Sequence, residues 1–290
     1  MTPVVVSRVE HAYRLHRNAD KYVPKMADAF VASAQAAQWA TTEAAVAEAM
    51  RRPGGPAMAA LLDTAGSITI AKAAEAPKAV VTIYAQIIAG AAIIENVQAT
   101  PLSPHVLRYA RDLSSSLVTN VTEETRAAVR WAIHEAIREG KAPAVAHRAI
   151  SNLVGLTRRD ASRLWRLAET ANTTELTVER ARMLKRRGMS IARTETITAS
   201  SRGQQAAWHT LADDGLIDRE TFRRIWTVTP DDRLCELCAP MDGMTISLDE
   251  SYESTQRGVL PSDRKPYDGD TVDGPTLHTA CRCIERAEFE

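Results

Sequence analysis

The residues best suited to chemistry are cysteines and a histidine that gather in two short clusters near the end of the chain. The first cluster is the pair Cys235 and Cys238, and the second comprises His278, Cys281 and Cys283. Thiolate sulfur and imidazole nitrogen are ligands that Zn²⁺ prefers, and a structural zinc binds four of them in a tetrahedron. We therefore predict a structural zinc site made from four of these five residues.

Five candidates for four places leave the ligand set open. One set combines Cys235, Cys238 and His278 with either Cys281 or Cys283, and the other uses the four cysteines without the histidine. Two disulfides or free thiols are the alternatives to a metal. Since the N-terminus lacks a signal-peptide pattern, we expect an intracellular chain, in which stable disulfides are rare, and we favour the metal.

Acidic residues beside the first cysteine pair raise a catalytic alternative. Asp231, Asp232 and Asp242 could supply a general base next to a zinc-bound water. A catalytic zinc keeps one coordination position open, whereas three or more cysteine ligands are typical of a closed, structural site. The residue types therefore favour a structural metal and a chain that is not an enzyme.

The segment between the two clusters needs the metal because it cannot bury much apolar surface. Residues 250–275 are polar and rich in Gly, Pro, Asp and Ser. Closing a loop of about 40 residues also costs entropy, and metal binding offsets that cost. Short β-branched stretches at 224–229 and 244–248 predict strands. We expect a small α+β, metal-stapled module over residues 223–290.

The remainder of the chain is predicted to be helical. Aromatic residues make up only 5% of the sequence and Ala is abundant, a composition that favours helices over sheets. The predicted fold class is mainly α, with Ala-rich helical bundle regions before the C-terminal module. Breakers near 51–56 and 100–104 lead us to divide the chain into an N-terminal helical region, a helical domain and the strand-and-loop zinc-binding module: 1–104, 105–222 and 223–290.

Capping residues predict where individual helices begin. Asn120 with Glu123 has the spacing of a capping box, and Thr157 precedes another amphipathic stretch. A further helix is predicted from Thr177 to Gly188, followed by a separate long helix over 189–212.

The most apolar run extends from Ala79 to Ile94. A membrane-spanning helix needs roughly 20 residues, so we predict a buried or subunit-facing helix and no membrane contact. Since exposed apolar patches usually mark interfaces, we expect the region 1–104 to carry the contact with a partner.

The formal net charge of zero hides a basic middle and an acidic end. Residues 96–230 carry a surplus of basic side chains, and residues 231–290 a surplus of acidic ones. Five basic residues that could contact DNA phosphates without sequence specificity lie close together: Arg180, Arg182, Lys185, Arg186 and Arg187. The alternatives are a solvated helix face or an internal partner for the acidic end.

Three motifs occur in order between residues 105 and 285. The first is the helical segment 191–196, followed by Ala199 and Trp208; the second runs from Trp226 through the first cysteine pair to Gly243; the third is the H-x-x-C-R-C sequence at 278–283. Together they resemble the phage head-morphogenesis family, the minor capsid proteins typified by the F protein of phage Mu. The chain departs from that pattern at 274–277, where a Pro-Pro pair usually precedes the histidine, and this affects the expected loop shape but not the ligands.

The resemblance implies a low-copy structural protein of the virion, located in the head interior or at the portal vertex and present in the host cytoplasm during assembly. The implied partners are the portal protein and the major capsid protein, with phage DNA as a further candidate and no small-molecule substrate. The implied roles are head assembly and portal-associated DNA packaging or ejection. The rivals are a zinc-containing nonspecific DNA-binding protein and a metal-dependent nuclease; the nuclease would need a further histidine, and only His209 and His278 follow Trp208.

The first motif also predicts a structural contact. Arg193 and Glu195 are two residues apart, so their side chains point about 200° apart on a helix and cannot pair with each other. We predict that they brace this helix against the strand-and-metal module, together with Thr194 and Trp226.

Overall fold

The computed structural model describes residues 8–36, 41–75, 77–94, 104–229, 236, 238–253, 271–278 and 281–289. Helices predominate over these residues, which confirms the predicted mainly α fold class. The helices are α1 (Arg8–Asp20), α2 (Val23–Ala36), α3 (Glu43–Arg51), α4 (Pro56–Glu75), α5 (Pro77–Ile94), α6 (Pro104–Arg138), α7 (Pro143–Ile150), α8 (Arg158–Leu167) and α9 (Thr173–Asp213). The strands are β1 (Phe222–Thr227), β2 (Thr245–Ser247), β3 (Tyr252–Glu253), β4 (Thr271–Val272) and β5 (Ile284–Phe289).

The chain forms two compact units, each assembled from separate stretches of sequence. Unit 1 comprises Met1–Met26, Val81–Leu113 and Ser190–Glu290, and unit 2 comprises Ala27–Val80 and Ser114–Met189. Long helices cause this pattern, because one helix can supply residues to two cores along its length. The predicted boundaries at 104 and 222 follow chain order instead, and as a division of function they stay a prediction.

Unit 2 has an apolar core built from helix faces. Val129, Ala132, Ile133 and Ala136 of α6 are fully buried, as their helical spacing predicts, whereas Ile137, which the same spacing placed on this face, is 37% exposed. α8 begins after Thr157, whose hydroxyl accepts a hydrogen bond from the backbone N–H of Asp160, and its Leu164 and Trp165 join the same core. Periodic apolar residues therefore account for the apolar core of this unit.

Unit 1 contains a three-stranded antiparallel sheet in the order β2-β1-β5, and β3 pairs with β4 in a second, two-stranded ladder. The central strand β1 aligns Ile225 with Thr245 of β2 and Trp226 with Glu285 of β5. Strands were predicted near β1 and β2, and the structure confirms both. β5 was not predicted, although it supplies half of the central pairing.

Helices α1 and α5 pack within unit 1 beside the strands. Leu15 of α1 lies in one cluster with Ala91 of α5 and Ile284 of β5. Asn18 donates a hydrogen bond of 3.0 Å to the carbonyl of Ile87. Most of the apolar side chains described in the run Ala79–Ile94 are buried, as predicted. Among the described helices, none combines the length and apolar character needed to cross a membrane.

Candidate metal centre

Cys238, the described member of the first cysteine cluster, is held near the central strand by hydrogen bonds of the residues that follow it. Cys238 precedes a short 3-10 turn at Ala239–Met241. The next residue, Asp242, accepts a hydrogen bond of 3.0 Å from the N–H of Val228, and Gly243 donates one of 2.9 Å to the carbonyl of Trp226. These bonds fix the position of Cys238 relative to β1.

The second cluster approaches the first from the loop after β4. The N–H of Cys281 donates to the carbonyl of His278 at 3.0 Å, which closes a tight turn between the two side chains. His278 Nε2 lies 3.1 Å from Cys238 Sγ, and Cys281 Sγ lies 3.6 Å from the same sulfur. All three atoms are within 4.8 Å of one another. We call Cys238, His278 and Cys281 the thiol–imidazole group.

Ligand atoms at 2.0–2.3 Å from a tetrahedral zinc are spaced about 3.5–3.8 Å from each other. The sulfur–sulfur separation of 3.6 Å lies in this range, and the 3.1 Å between His278 Nε2 and Cys238 Sγ is somewhat shorter. Cys238 and Cys281 are buried and His278 is half-buried, so an ion here would be largely shielded from water. The group therefore has the donor chemistry, spacing and burial of a metal site.

The remaining two candidate ligands, Cys283 and Cys235, do not belong to the thiol–imidazole group. Cys283 is 2% exposed and lies in the same hydrophobic cluster as Cys238 and Cys281. It does not join the set of atoms that are mutually within 4.8 Å among the described residues. Cys235 lies outside the described residues. The structure thus brings together three of the five predicted ligands and keeps a fourth nearby.

The thiols influence one another strongly. Hydrogen bonds from Cys238 and Cys283 hold the pKa of Cys281 well below its usual range, whereas hydrogen bonding to Cys281 and Cys283 and burial raise the pKa of Cys238. The lowered pKa of Cys281 favours its thiolate, the form in which a thiol binds a metal, and a bound cation would favour loss of the protons of further thiols.

The described cysteines form no disulfide: Cys238, Cys281 and Cys283 are all free. The sulfur atoms of Cys238 and Cys281 are 3.6 Å apart, far more than the roughly 2.05 Å of a covalent S–S bond. The geometry therefore favours the metal over the disulfide alternative for this pair.

A hydrolytic site would place a carboxylate beside the metal ligands. Among the described residues, no carboxylate belongs to the thiol–imidazole group, and Asp242 accepts a backbone hydrogen bond instead. Asp231 and Asp232 lie outside the described residues. His209 is also outside the group, and its Nδ1 lies 3.7 Å from a carboxylate oxygen of Asp249.

A buried ion pair next to the centre was missed by the sequence analysis. Arg224 of β1 donates from Nε and Nη2 to Glu285 Oε1 at 3.0 and 2.7 Å, and the two side chains are only 4% and 0% exposed. Arg224 Nη1 donates to the carbonyls of Leu248 and Glu250 at 3.1 and 3.0 Å. One guanidinium therefore joins β1, β5 and the chain after β2. The sequence did contain one signal for this burial. Phe222, Arg224 and Trp226 occupy every second position of β1, so Arg224 lies on the same face of the strand as two large aromatic residues.

Helix α9 is attached to this ion pair by neutral side chains. Gln205 Nε2 and Ser201 Oγ donate to Glu285 Oε2 at 2.8 and 3.2 Å, and Gln204 Nε2 donates to the Glu285 carbonyl at 3.2 Å. The chain passes so close that a Cβ atom on Gly274 would lie 2.5 Å from Gln205 Nε2. This contact explains why the loop carries Gly at 274.

The predicted brace residues occupy different surroundings. Arg193 is exposed, whereas Glu195 is buried and accepts a hydrogen bond of 2.7 Å from the hydroxyl of Tyr84 on α5. Thr194 donates to the carbonyl of Ser190 within its own helix, and Trp226 packs in the cluster around the cysteines. The described contacts between α9 and the sheet instead include those of residues 201–205, about two to three turns further along. The bracing role of 193–195 stays a prediction.

The five predicted DNA-contact residues divide into two groups within unit 2. Arg180 donates to the carbonyls of Ala34, Asn152 and Val154 at 2.8–3.2 Å. Arg187 is buried and donates to the carbonyl of Gly155, and burial lowers its pKa from 12.5 to about 10. These two arginines stabilise the unit from inside. The exposed members are Arg182, Lys185 and Arg186.

The fold and the site together define a mainly helical protein whose C-terminal strands enclose a candidate Cys/His metal centre. The family model described as Phage Mu protein F like protein matches residues 127–285, more than half of the chain. The chain therefore belongs to the phage Mu F-like family of head-morphogenesis proteins, and it is a phage head component. No match was found among curated proteins or among solved structures.

Proposed function

We propose that the chain is a minor structural protein of the phage head that docks at the portal vertex and catalyses no reaction. Family membership is the observation that carries this proposal, because the matched region includes both cysteine clusters and the helices α7 to α9. The proposed partners are the portal protein and the major capsid protein. The proposed roles are head assembly and DNA packaging or ejection.

We further propose that the metal is zinc and that its role is structural. Cys238, His278 and Cys281 would hold it, with the fourth position filled by Cys235 or Cys283. A bound zinc would supply folding free energy to a region of short strands and a long polar connection. The burial of Cys238 and Cys281 and the predominance of cysteine among the donors support a closed site over a catalytic one.

The docking proposal is tested by assembling heads with and without the portal. The complete chain is co-expressed with the portal and major capsid proteins, the particles are separated on a density gradient, and the chain is quantified by mass spectrometry. We expect a low, fixed number of copies in portal-containing particles and cross-links between the chain and the portal ring.

Particles assembled without the portal protein serve as the control. They should contain little or none of the chain if docking occurs at the portal. Equal amounts in both kinds of particle would contradict portal docking, and absence from all particles would contradict the structural role itself.

A further inference from the structure

Two neighbouring helices of unit 2 carry rows of exposed cations that the sequence analysis only partly recognised. The residues on α8 are Arg159, Arg163 and Arg166, and those on the first half of α9 are Arg182, Lys185 and Arg186. We call these six residues the basic face. Only the three on α9 belong to the basic stretch singled out in the sequence.

Ion pairs between the helices join the two rows into one surface. Arg163 of α8 lies 2.9 Å from Glu179 of α9, and Arg182 reaches the same carboxylate at 3.5 Å. Arg186 of α9 lies 2.8 Å from Asp160 of α8. Two of these ion pairs connect α8 to α9, and the third uses the same carboxylate as one of them. The cations on the two helices therefore lie side by side.

The surface is positive outward because its carboxylates are covered. Glu179 and Asp160 are only 14% and 15% exposed, whereas Arg163, Arg182 and Arg186 are 58%, 73% and 57% exposed. Six cations thus stand over two shielded anions, and exposed guanidinium groups retain donors for an external ligand.

Exposed acidic residues do occur beyond these rows, in the connection between the helices and at the start of α9, but each is engaged. Glu169 forms an ion pair of 2.5 Å with Lys141, and Glu175 accepts a hydrogen bond of 2.9 Å from the N–H of Asn172. The charge of Glu169 is thus balanced by Lys141, whereas Glu175 keeps its charge at the N-terminal end of α9, outside the two rows.

The rows are long enough to lie along a DNA duplex and contact more than one phosphate. Arg159 and Arg166 are separated by about 10 Å along α8, and over that length of the duplex axis each strand carries about three phosphates, one per roughly 3.4 Å. The aromatic residues on the two described helices, Trp165 and Trp208, are buried, so no exposed ring on them could stack on bases. The chemistry fits the backbone of a duplex and not its bases.

We propose that the basic face binds the phosphate backbone of double-stranded DNA without reading its sequence. The proposal goes beyond docking at the portal and does not depend on it. It also replaces Arg180 and Arg187 as contact residues, because these two bind carbonyls inside unit 2.

The test uses the purified complete chain and fluorescent duplexes of two unrelated sequences. DNA affinity is measured by fluorescence anisotropy across a salt series for the wild type and for the triple variant R159Q/R166Q/K185Q, which leaves the described inter-helix ion pairs intact. Each phosphate contact contributes about −0.9 to the slope of log affinity against log salt. We expect the triple variant to have a slope smaller in magnitude by about 2–3 and a loss of affinity of roughly tenfold or more at low salt.

The matched control is R14Q/R52Q/R111Q, which removes three exposed cations outside the basic face. It should bind both duplexes like the wild type. Equal losses in the two variants would overturn the proposal, since net charge alone would then explain binding, and so would the absence of binding by the wild type. Polyglutamate is the competitor: if it displaces DNA at lower charge concentration than unlabelled duplex does, the surface is a site for an acidic protein and the proposal fails.

Discussion

Unit 2 and the strand region of unit 1, which comprises β1 to β5 and their connections, are stabilised by different kinds of contact. Unit 2 buries a continuous set of alanine, leucine and isoleucine side chains between helices. The strand region depends on the ion pair of Arg224 with Glu285, on side-chain amides from α9 and on the thiol–imidazole group. Its strands are only two to six residues long.

Element length explains the difference. A helix of ten or more residues can present an apolar face over several turns, so burial alone offsets the entropy of ordering. Short strands cannot, and the sequence between β3 and β4 is polar. In the strand region, the ion pair, the side-chain hydrogen bonds and the thiol–imidazole group provide the stabilisation that apolar burial provides in unit 2. They join residues that are far apart in sequence. This contrast predicts which substitutions affect which unit.

The largest effect is expected from removing a metal ligand. C281S should abolish zinc binding, as measured by elemental analysis of the intact protein. Hydrogen exchange should then accelerate in β1 to β5, while residues 128–184 keep their protection. The apparent free energy of zinc binding to small zinc-dependent domains is roughly 10–16 kcal/mol, so this loss exceeds that from any single core substitution.

Two companion variants decide the fourth ligand. If Cys235 supplies it, C235S loses the metal and C283S retains it; if Cys283 supplies it, the reverse holds. Purified wild type that lacks zinc and has its cysteines in disulfides by mass spectrometry would contradict the metal site altogether.

The next effect concerns the buried ion pair. R224M leaves the carboxylate of Glu285 buried without its cation, which should lower the free energy of unfolding by about 3–5 kcal/mol. The double variant R224M/E285L should recover part of that loss, because it removes the isolated charge. Urea denaturation followed by tryptophan fluorescence gives both values.

A solvent-exposed ion pair in unit 2 provides the control. Arg51 and Glu48 are 70% and 41% exposed, and R51M should leave stability unchanged within error. A loss for R51M as large as that for R224M would remove the contrast between the two regions.

A core substitution in unit 2 tests whether the apolar core of that unit and the metal centre of the strand region are independent of each other. L164A creates a cavity among fully buried helix residues and should cost about 2–5 kcal/mol, while the zinc content stays at one ion per chain. L216A, at a position 71% exposed, is the matched control and should have little effect. Loss of zinc in folded L164A would show that the metal centre depends on the unit 2 core.

The smallest effect is expected at the start of α8. T157A removes the hydroxyl that accepts the hydrogen bond from the N–H of Asp160, and should cost about 1 kcal/mol. T157S keeps an equivalent oxygen and should behave like the wild type in thermal unfolding. Equal stability of all three proteins would mean that the cap contributes nothing.

Local patterns predicted the elements that local physics controls. The start of α8 after Thr157, the strands near β1 and β2, and the proximity of Cys238, His278 and Cys281 all follow from short motifs. Each depends on residues close in sequence or on a ligand preference that is independent of the fold. These parts of the fold and of the site could therefore be predicted from the sequence.

Helix boundaries failed where a capping residue lies inside a longer helix. Asn120 lies within α6, and Thr177 lies within α9, where its hydroxyl donates to the carbonyl of Thr173 instead of capping. Gly188 does not end a helix either; a Cβ atom there would lie 3.0 Å from Val31 Cγ2, so the glycine permits close packing. Packing partners distant in sequence decided these cases.

The orientation of the basic stretch could have been predicted better. Arg180, Leu184 and Arg187 follow the spacing i, i+4, i+7 and share one helix face with a buried leucine. That periodicity was a signal that two of the arginines face inward. The ion pair of Arg224 and Glu285, by contrast, joins residues 61 positions apart, and no local pattern encodes such a contact.

The interleaved composition of the two units sets an order of events during synthesis. Unit 2 has its complete sequence once Met189 has been made, whereas unit 1 combines α1 with a strand near the last residue. A ribosome adds about 5–20 residues per second, so Leu15 exists for many seconds before Ile284, its neighbour in the folded protein, is added. During that interval the apolar sides of α1 and α5 lack part of their covering, and a nascent chain is most exposed there to chaperones, proteases and aggregation.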